Sequence, residues 1–451
     1  MSTRAMSAVD HAWYRMDTPE NLMMVQAIMW TETPLDWEKA RDVVALGMLK
    51  RFGKFRQHPV PASIPFGRAG WREDTDFDLD RHLIRHRLPA PGDRESLAAY
   101  IATQIPQQLD PAHPMWQVHF IDGYGSGSAA LFRMHHSIAD GITLTRVLLS
   151  LTSTEADDAG FTPSVDRSLV GQVAAVTLDL AGEGLRTVRD PARLATGAVV
   201  AFRGVRRLVH LATIPAKPAS ALSGAVGPQK RVTWTQPWPL PGIKRISRAA
   251  GVTVNDVLLS VLADALSRYL TEEGTPLDIV RVMGPVNLRP LDQPLASDLG
   301  NVFGEYVVTL PTGEFAPLAR LARMRQITED LKDSPEAIVA YLTLVAIGWL
   351  PDQVEDMTTK LFSAKVIATV SNVPGPRKPV TLAGTPVTGI IGWVPGAGDV
   401  GLGVSMFSYN DHVLIGLIAD AQLIPDLDRL TTHLADSLAD LAAATEVAAS
   451  D

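Results

Sequence analysis

Two apolar runs, WQVHFIDG (116–123) and AALFRMHH (129–136), flank the turn YGSGS, which is the pattern of a hairpin or strand pair. Directly after them Ile142, Leu144, Val147, Leu148 and Leu151 recur at helical spacing. The intervening HHSIADG therefore sits in a connection between a strand and a helix, where a loop presents side chains to a cleft. Further along, the apolar stripe Val257, Leu258, Val261, Leu262, Ala265, Leu266 and Tyr269 predicts a helix over 254–270. Strands are predicted at IVRVMGPVN, VFGEYVVTLP, KVIATVSNV and the pair VSMFSYN–DH–VLIGLIAD. From Pro425 onward Leu427, Leu430, Leu434, Leu438 and Leu441 mark an amphipathic terminal helix. The most apolar window, IVAYLTLVAIGWL (338–350), spans 13 residues, against roughly 20 for a bilayer-crossing helix, and reads as a buried or interfacial helix.

Composition shifts divide this pattern into three parts. Strand-like and helical pieces alternate to residue 157; residues 158–229 are Ala-, Gly- and Arg-rich; strands and helices resume at Lys230. The expected organisation is an α/β protein with an N-terminal lobe (1–157), a crossover linker (158–229) and a C-terminal lobe (230–451). Between Leu185 and Ser220 lie seven cations (Arg186, Arg189, Arg193, Arg203, Arg206, Arg207, Lys217) and one anion, Asp190, a local +6 in a chain of net charge -8. Arg203, Arg206, Arg207 and His210 share one helical face, while Leu194, Ala198, Phe202, Val205 and Val209 form a stripe on another. Such a basic amphipathic helix suits an anionic lipid surface. A crossover helix that packs its stripe on the lobes, with arginines in solvent, has the same pattern.

At 451 residues, with 46% hydrophobic and 20% charged positions, the chain has material for two globular lobes. It contains no cysteine, so disulfides, zinc thiolates, iron–sulfur clusters and a Cys nucleophile are excluded, and any acyl chemistry proceeds without a protein thioester. The acidic net charge argues against wholesale nucleic-acid binding. The start, MSTRAMSAVDHAWYRMD, lacks the apolar core of a secretory signal, and a cytoplasmic location is expected.

His135-His136-Ser137-Ile138-Ala139-Asp140-Gly141 carries the most chemistry. A histidine of ordinary pKa near 6.5 is mostly neutral at pH 7 and can accept a proton from an alcohol attacking a carbonyl; Gly141 leaves the approach clear. A pair of ordinary loop histidines is the alternative. A metal site has less to recommend it, because no HExxH or carboxylate cluster accompanies the pair. Asn255 and Asp256 fall in the first turn of the helix after Thr253, where Asp256 fits a capping box. The turn Asn372-Val373-Pro374-Gly375-Pro376 is read as architecture. The glycine string at 396–401 leads into a strand rather than a helix, so it is not read as a nucleotide site.

Taken whole, HHSIADG is the HHxxxDG motif of the CoA-dependent acyltransferase superfamily. The chain resembles specifically the bacterial wax ester synthase/acyl-CoA:diacylglycerol acyltransferase family, through MSAVDHAW, FDLDRHLIRHRLPAPGD, HPMW, VNDVLL, PVNLRP, LGNVFG, SNVPGP and SYND in the family's order. It departs from the family's pattern at Pro114-Met115-Trp116, where a PLW triplet is frequent, and at LMMVQAIMW, where a Met-His-containing strand is frequent. The resemblance implies two chloramphenicol-acetyltransferase-like lobes, each a mixed sheet flanked by helices, with the active site in a channel between them. It implies that His136 is the general base and His135 a supporting residue, with no covalent intermediate. Asn255 would donate to the oxyanion or orient the acceptor hydroxyl, and Asp140 would be structural, paired with Arg289. It implies acyl-CoA as co-substrate with no bound cofactor or metal, and a long-chain alcohol or diacylglycerol as acceptor. Peripheral association with the inner membrane or a lipid droplet is expected. Esterification of a specialised hydroxyl metabolite, or a non-catalytic lipid-binding or droplet role, stays open.

Overall fold

A computed structural model describes residues 3–62, 67–153, 213–288, 295–332, 340–341, 343–345, 348 and 359–448. The first half contributes β1 (Arg4–Ala5), α1 (Ala8–Arg15), β2 (Met24–Thr31), α2 (Trp37–Val44), β3 (Gln57–Val60), β4 (Gly70–Glu73), β5 (Leu83–Arg87), α3 (Arg94–Gln104), β6 (Trp116–Tyr124), β7 (Gly127–His135), α4 (Gly141–Leu149) and β8 (Thr152–Ser153). The second half contributes β9 (Lys230–Trp234), β10 (Trp238–Pro239), α5 (Leu240–Ala250), α6 (Val254–Glu272), β11 (Ile279–Asn287), β12 (Phe303–Pro311), α7 (Pro317–Lys332), β13 (Ala368–Pro374), β14 (Thr381–Leu382), β15 (Thr385–Trp393), β16 (Leu402–Tyr409), β17 (His412–Asp420) and α8 (Leu427–Ala448).

Among the described residues the strands form two seven-stranded mixed sheets and a small three-stranded one. The hairpin expected from the apolar runs is β6–β7, paired from Trp116↔Met134 to Tyr124↔Gly127. Its turn is tighter than YGSGS suggests, because Gly123 and Gly125 take positive φ, 79° and 56°, a conformation open to glycine at little cost. Every residue of β7 is buried, so the strand runs down the middle of the lobe and delivers the two histidines at its end.

The first sheet has the order β5-β6-β7-β2-β15-β14-β8. Two of its strands, β14 and β15, come from the second half of the chain, with β15 antiparallel to β2 from Trp393↔Gln26 to Val387↔Thr31. Val387, Ile390, Ile391 and Trp393 are buried there, and this apolar surface explains why the strand leaves its sequence neighbours. At Gly389 a Cβ would stand 1.9 Å from the Trp30 ring, so only glycine allows the two strands to approach. The second sheet has the order β10-β17-β16-β13-β11-β12, with β9 also on β17. One of its faces is packed with Val257, Leu262 and Leu266 of α6 and Leu430 and Leu434 of α8; its other face meets the first lobe through Phe407 and Leu414. A third apolar cluster, with Val9, Trp13, Met23, Leu288 and Phe303, joins the two halves beside the histidine loop.

The basic run containing Arg203, Arg206, Arg207 and His210 lies outside the described residues, as do Arg289 and much of the apolar window 338–350. Among the described residues no single helix is long and apolar enough to cross a membrane.

Candidate active site

The chain leaves β7 at His135, and the amide of His136 donates to the carbonyl of Met23 at 2.7 Å, one residue before β2 begins. The two neighbouring imidazoles then point to different surroundings. In His135, Nδ1 accepts from the backbone N–H of Ser137 at 3.1 Å, with the Ser137 hydroxyl at 2.8 Å from the same nitrogen. A backbone N–H can only donate, so the proton of neutral His135 is on Nε2, 3.7 Å from Asp17 Oδ1.

His136 is buried. Its ring stacks on Trp13, centroids 4.1 Å apart and planes 20° apart, with the Phe303 ring at 5.5 Å. Its Nδ1 is 3.0 Å from Asn301 Oδ1. Burial lowers its pKa to about 4; the charge of Asp140 opposes that shift and His135 reinforces it. At neutral pH the imidazole is therefore uncharged.

Behind this ring lie three polar residues to which the sequence reading assigns no role. Asn301 Nδ2 donates to Asp10 Oδ1 and to the carbonyl of His136, each at 2.8 Å, and its backbone N–H donates to Asp10 Oδ1 at 3.1 Å. Asp10 Oδ2 accepts from Lys54 Nζ at 2.9 Å. Lys54 also donates to the carbonyls of Ser137, Ile138 and Leu299 at 3.2, 2.9 and 3.1 Å. One ammonium thus ties the histidine loop to the segment before β12. Asp10 sits in α1 among buried Val9, Ala12 and Trp13, and a lone acid in such a stripe signals a buried partner.

Asp140 caps α4: Oδ1 accepts from Thr143 N at 2.7 Å, and Oδ2 accepts from Val302 N at 3.2 Å. Both oxygens are held by backbone amides of the loop and of the opposing segment. Gly141 opens α4, and a Cβ placed on it would meet no atom of the described residues within 4 Å. Neither packing nor φ demands glycine there, so the space beside the motif is left free.

Asn255 lies in the first turn of α6 and comes from the other lobe. Its Oδ1 accepts from Asn372 Nδ2 at 2.9 Å, which links the VNDVLL and SNVPGP motifs. Asp256 completes the capping box with Thr253 through Oδ2 and accepts the Thr328 hydroxyl of α7 on Oδ1 at 2.6 Å, so it caps α6 and ties it to α7. Among the described residues no hydrogen bond joins Asn255 to the histidine loop. Gly375 fits the architectural reading of its turn: a Cβ there would stand 2.3 Å from the carbonyl oxygen of Ser408. The glycine string at 396–401 runs into β16, a strand.

A narrow cleft opens between the lobes, lined by Glu20, Asn21, Leu22, Met24, Gln26 and Lys230 among others. It approaches the motif through Met24, which pairs with His135 across the sheet. Gln26 Oε1 is buried there with no protein partner among the described residues. No cluster of three or more His, Asp or Glu able to hold a metal ion occurs among the described residues.

Fold and site together define an acyltransferase of the HHxxxDG class. Family models match residues 6–258 as the wax ester synthase/diacylglycerol acyltransferase catalytic domain and 299–442 as the WS/DGAT C-terminal domain, and the chain belongs to that family. It is 29% identical over 412 residues to a Mycobacterium tuberculosis protein named as a probable diacylglycerol O-acyltransferase, tgs1, covering 87% of this chain and 85% of that one. With the O-acyltransferase WSD of Acinetobacter baylyi it shares 25% identity over 96% of each chain. The structure of the wax ester synthase/diacylglycerol acyltransferase from Marinobacter aquaeolei VT8 superposes with a TM-score of 0.69 at 22% identity, covering 98% of this chain and 100% of that one. The starter condensation domain of rhizomide synthetase gives 0.61 at 13% identity over 98% and 94%. These two likenesses establish the α/β two-lobed fold.

Proposed function

We propose that this member of the family transfers a fatty acyl group from acyl-CoA to a long-chain alcohol or diacylglycerol, with His136 as general base. The observation that carries the reading is the buried, uncharged His136 ring of the HHxxxDG loop, held through Nδ1 by Asn301. The acceptor hydroxyl gives its proton to Nε2 while its oxygen attacks the thioester carbonyl. The resulting oxyanion collapses, the C–S bond breaks, and the CoA thiolate takes the proton back from the imidazolium. No enzyme–acyl bond is formed, and with no cysteine in the chain none to sulfur is available.

Asn255 is the proposed oxyanion or hydroxyl partner. Its Oδ1 is occupied by Asn372, which leaves its amide hydrogens to donate elsewhere. His135 and Asp140 shape the loop, and Gly141 gives clearance. The reading includes cytoplasmic work at the inner membrane or a lipid droplet, supported by the local +6 between Leu185 and Ser220.

The test is incubation with labelled palmitoyl-CoA and a panel of hexadecanol, dioleoylglycerol and smaller hydroxyl compounds, following CoA release and the lipid product. Wax ester or triacylglycerol is the expected outcome. Turnover only with smaller hydroxyl compounds would move the acceptor class, and no CoA release with any acceptor would replace catalysis by lipid binding.

A further inference from the structure

We infer that Asn301 is a positioning residue that fixes which nitrogen of His136 is the base, and that Asp10, neutralised by Lys54, fixes Asn301 in turn. The inference rests on the reading of His136 as general base, but its geometry stands independently of any acceptor.

The argument is one of donors and acceptors. Asn301 Nδ2 faces two groups that can only accept at neutral pH, the carbonyl of His136 and the carboxylate of Asp10, each at 2.8 Å. Turning the carboxamide over would place Oδ1 against both and leave two buried acceptor–acceptor contacts, each costly. Oδ1 is therefore the atom that faces His136 Nδ1 at 3.0 Å. The carboxamide oxygen has no hydrogen, so the one between them belongs to Nδ1. Neutral His136 is then the Nδ1–H tautomer, and Nε2 carries the lone pair.

The carboxamide also grips His136 by its backbone carbonyl, so ring and main chain are held by one side chain. Its own orientation is held by Asp10 through two hydrogen bonds, and the charge of Asp10 is met by Lys54 at 2.9 Å, both side chains being buried. Interposing a neutral amide between base and carboxylate separates two jobs. The tautomer is set as by the carboxylate of a Ser-His-Asp triad, yet no anion touches the imidazole through this arm. The ionisable groups around the ring are Asp140 at the cap of α4, His135 beside it, and the Asp10–Lys54 pair behind Asn301. Because Asn301 comes from the segment before β12 and His136 from the end of β7, the base is set only when the two halves of the chain are docked. That is a property of assembly, since neither half holds the whole relay.

The experiment has two arms. The first needs no variant: long-range ¹H–¹⁵N spectra of the histidine-labelled protein near pH 7, with His136→Gln used to assign the His136 signals. An Nδ1–H, Nε2-unprotonated pattern for His136 is expected, and an Nε2–H pattern would overturn the inference whether or not the protein transfers acyl groups. The second arm is Asn301→Ala, with Asn301→Gln as the amide-retaining variant. In Asn301→Ala the single-tautomer pattern is lost, and kcat falls about 10²-fold or more, the scale of a wrong tautomer at a histidine base. KM for palmitoyl-CoA changes little. Asn301→Ala with the wild-type tautomer and wild-type kcat per folded molecule would overturn the positioning role. If the variant does not fold, the first arm decides alone. Absence of acyl transfer in the wild type together with the expected tautomer would count against the acyltransferase reading and not against the relay.

Discussion

The indole of Trp13 lies against the imidazole of His136, centroids 4.1 Å apart and planes 20° apart, so the ring proposed to move the proton has an aromatic wall from α1. Stacking of this kind contributes about 0.5–1.5 kcal/mol beyond burial, and it suits a neutral ring that must keep one orientation. Trp13→Ala would open a cavity costing about 3–5 kcal/mol and free the ring to rotate. A lowered Tm and a kcat reduced about 10-fold or more are expected, with both largely restored in Trp13→Phe. Wild-type kcat in Trp13→Ala, measured where the variant is folded, would reduce the wall to packing alone.

His136→Ala should lower turnover about 10²–10⁴-fold with the fold intact. The pH dependence is more diagnostic. Burial holds His136 at about 4, so kcat/KM should stay flat as pH falls from 8 to 5, where an ordinary histidine would already have produced a limb near 6.5. The linked stability has the matching sign. The folded pKa is below the unfolded one, so the unfolded chain binds the proton first as pH falls. This residue's contribution is full above about 6.5 and declines as pH drops toward about 4. An acid limb centred near 6.5 and absent from buffer controls would contradict the buried-base assignment.

Gly141 offers a test of clearance, because a Cβ there meets no atom of the described residues within 4 Å. Alanine is the better helix former by about 1 kcal/mol, so Gly141→Ala should keep or slightly raise Tm. If the space belongs to substrate, kcat/KM falls about 10-fold in Gly141→Ala and further in Gly141→Val. Full activity in both variants would show the space to be idle.

Much of the scaffold around these residues was legible in the sequence. IVRVMGPVN is β11 from its first residue to its last, and the stripe from Val257 to Tyr269 is the buried face of α6. HHSIADG falls between β7 and α4, as the change from strand to helical spacing requires. What was not legible depends on neighbours. β15 is not among the strands read from the sequence, and the fit of Gly389 under Trp30 that seats it beside β2 exists only in the packed structure. Asp10, Lys54 and Asn301 are far apart in the chain and have no common spacing. Asp10 is out of place among Val9, Ala12 and Trp13, a clue that a buried partner exists but not that Lys54 and Asn301 supply it. The two asparagines Asn255 and Asn372 belong to separate motifs, and their hydrogen bond is visible only once α6 and β13 are packed.

Glu305 carries the last expected outcome. It lies two residues beyond Phe303 on β12, hence on the same face of the strand as the ring that approaches His136, and Pro285 is its partner across β11. No hydrogen bond or ion pair holds its carboxyl among the described residues, and burial alone pushes its pKa up to about 7. A folded-state value above the unfolded one near 4.5 means the folded protein keeps the proton over that window while the unfolded chain has lost it. The associated stability is fully present below about 4.5 and is lost as pH rises through 7. Glu305→Gln, which has nearly the same shape and no charge, should therefore match wild type at pH 4 and exceed it at pH 8, by about 1–3 kcal/mol. Thermal melts at the two pH values decide it: an equal Tm difference at both, or a less stable variant at pH 8, would mean that Glu305 is ionised and satisfied in the folded protein.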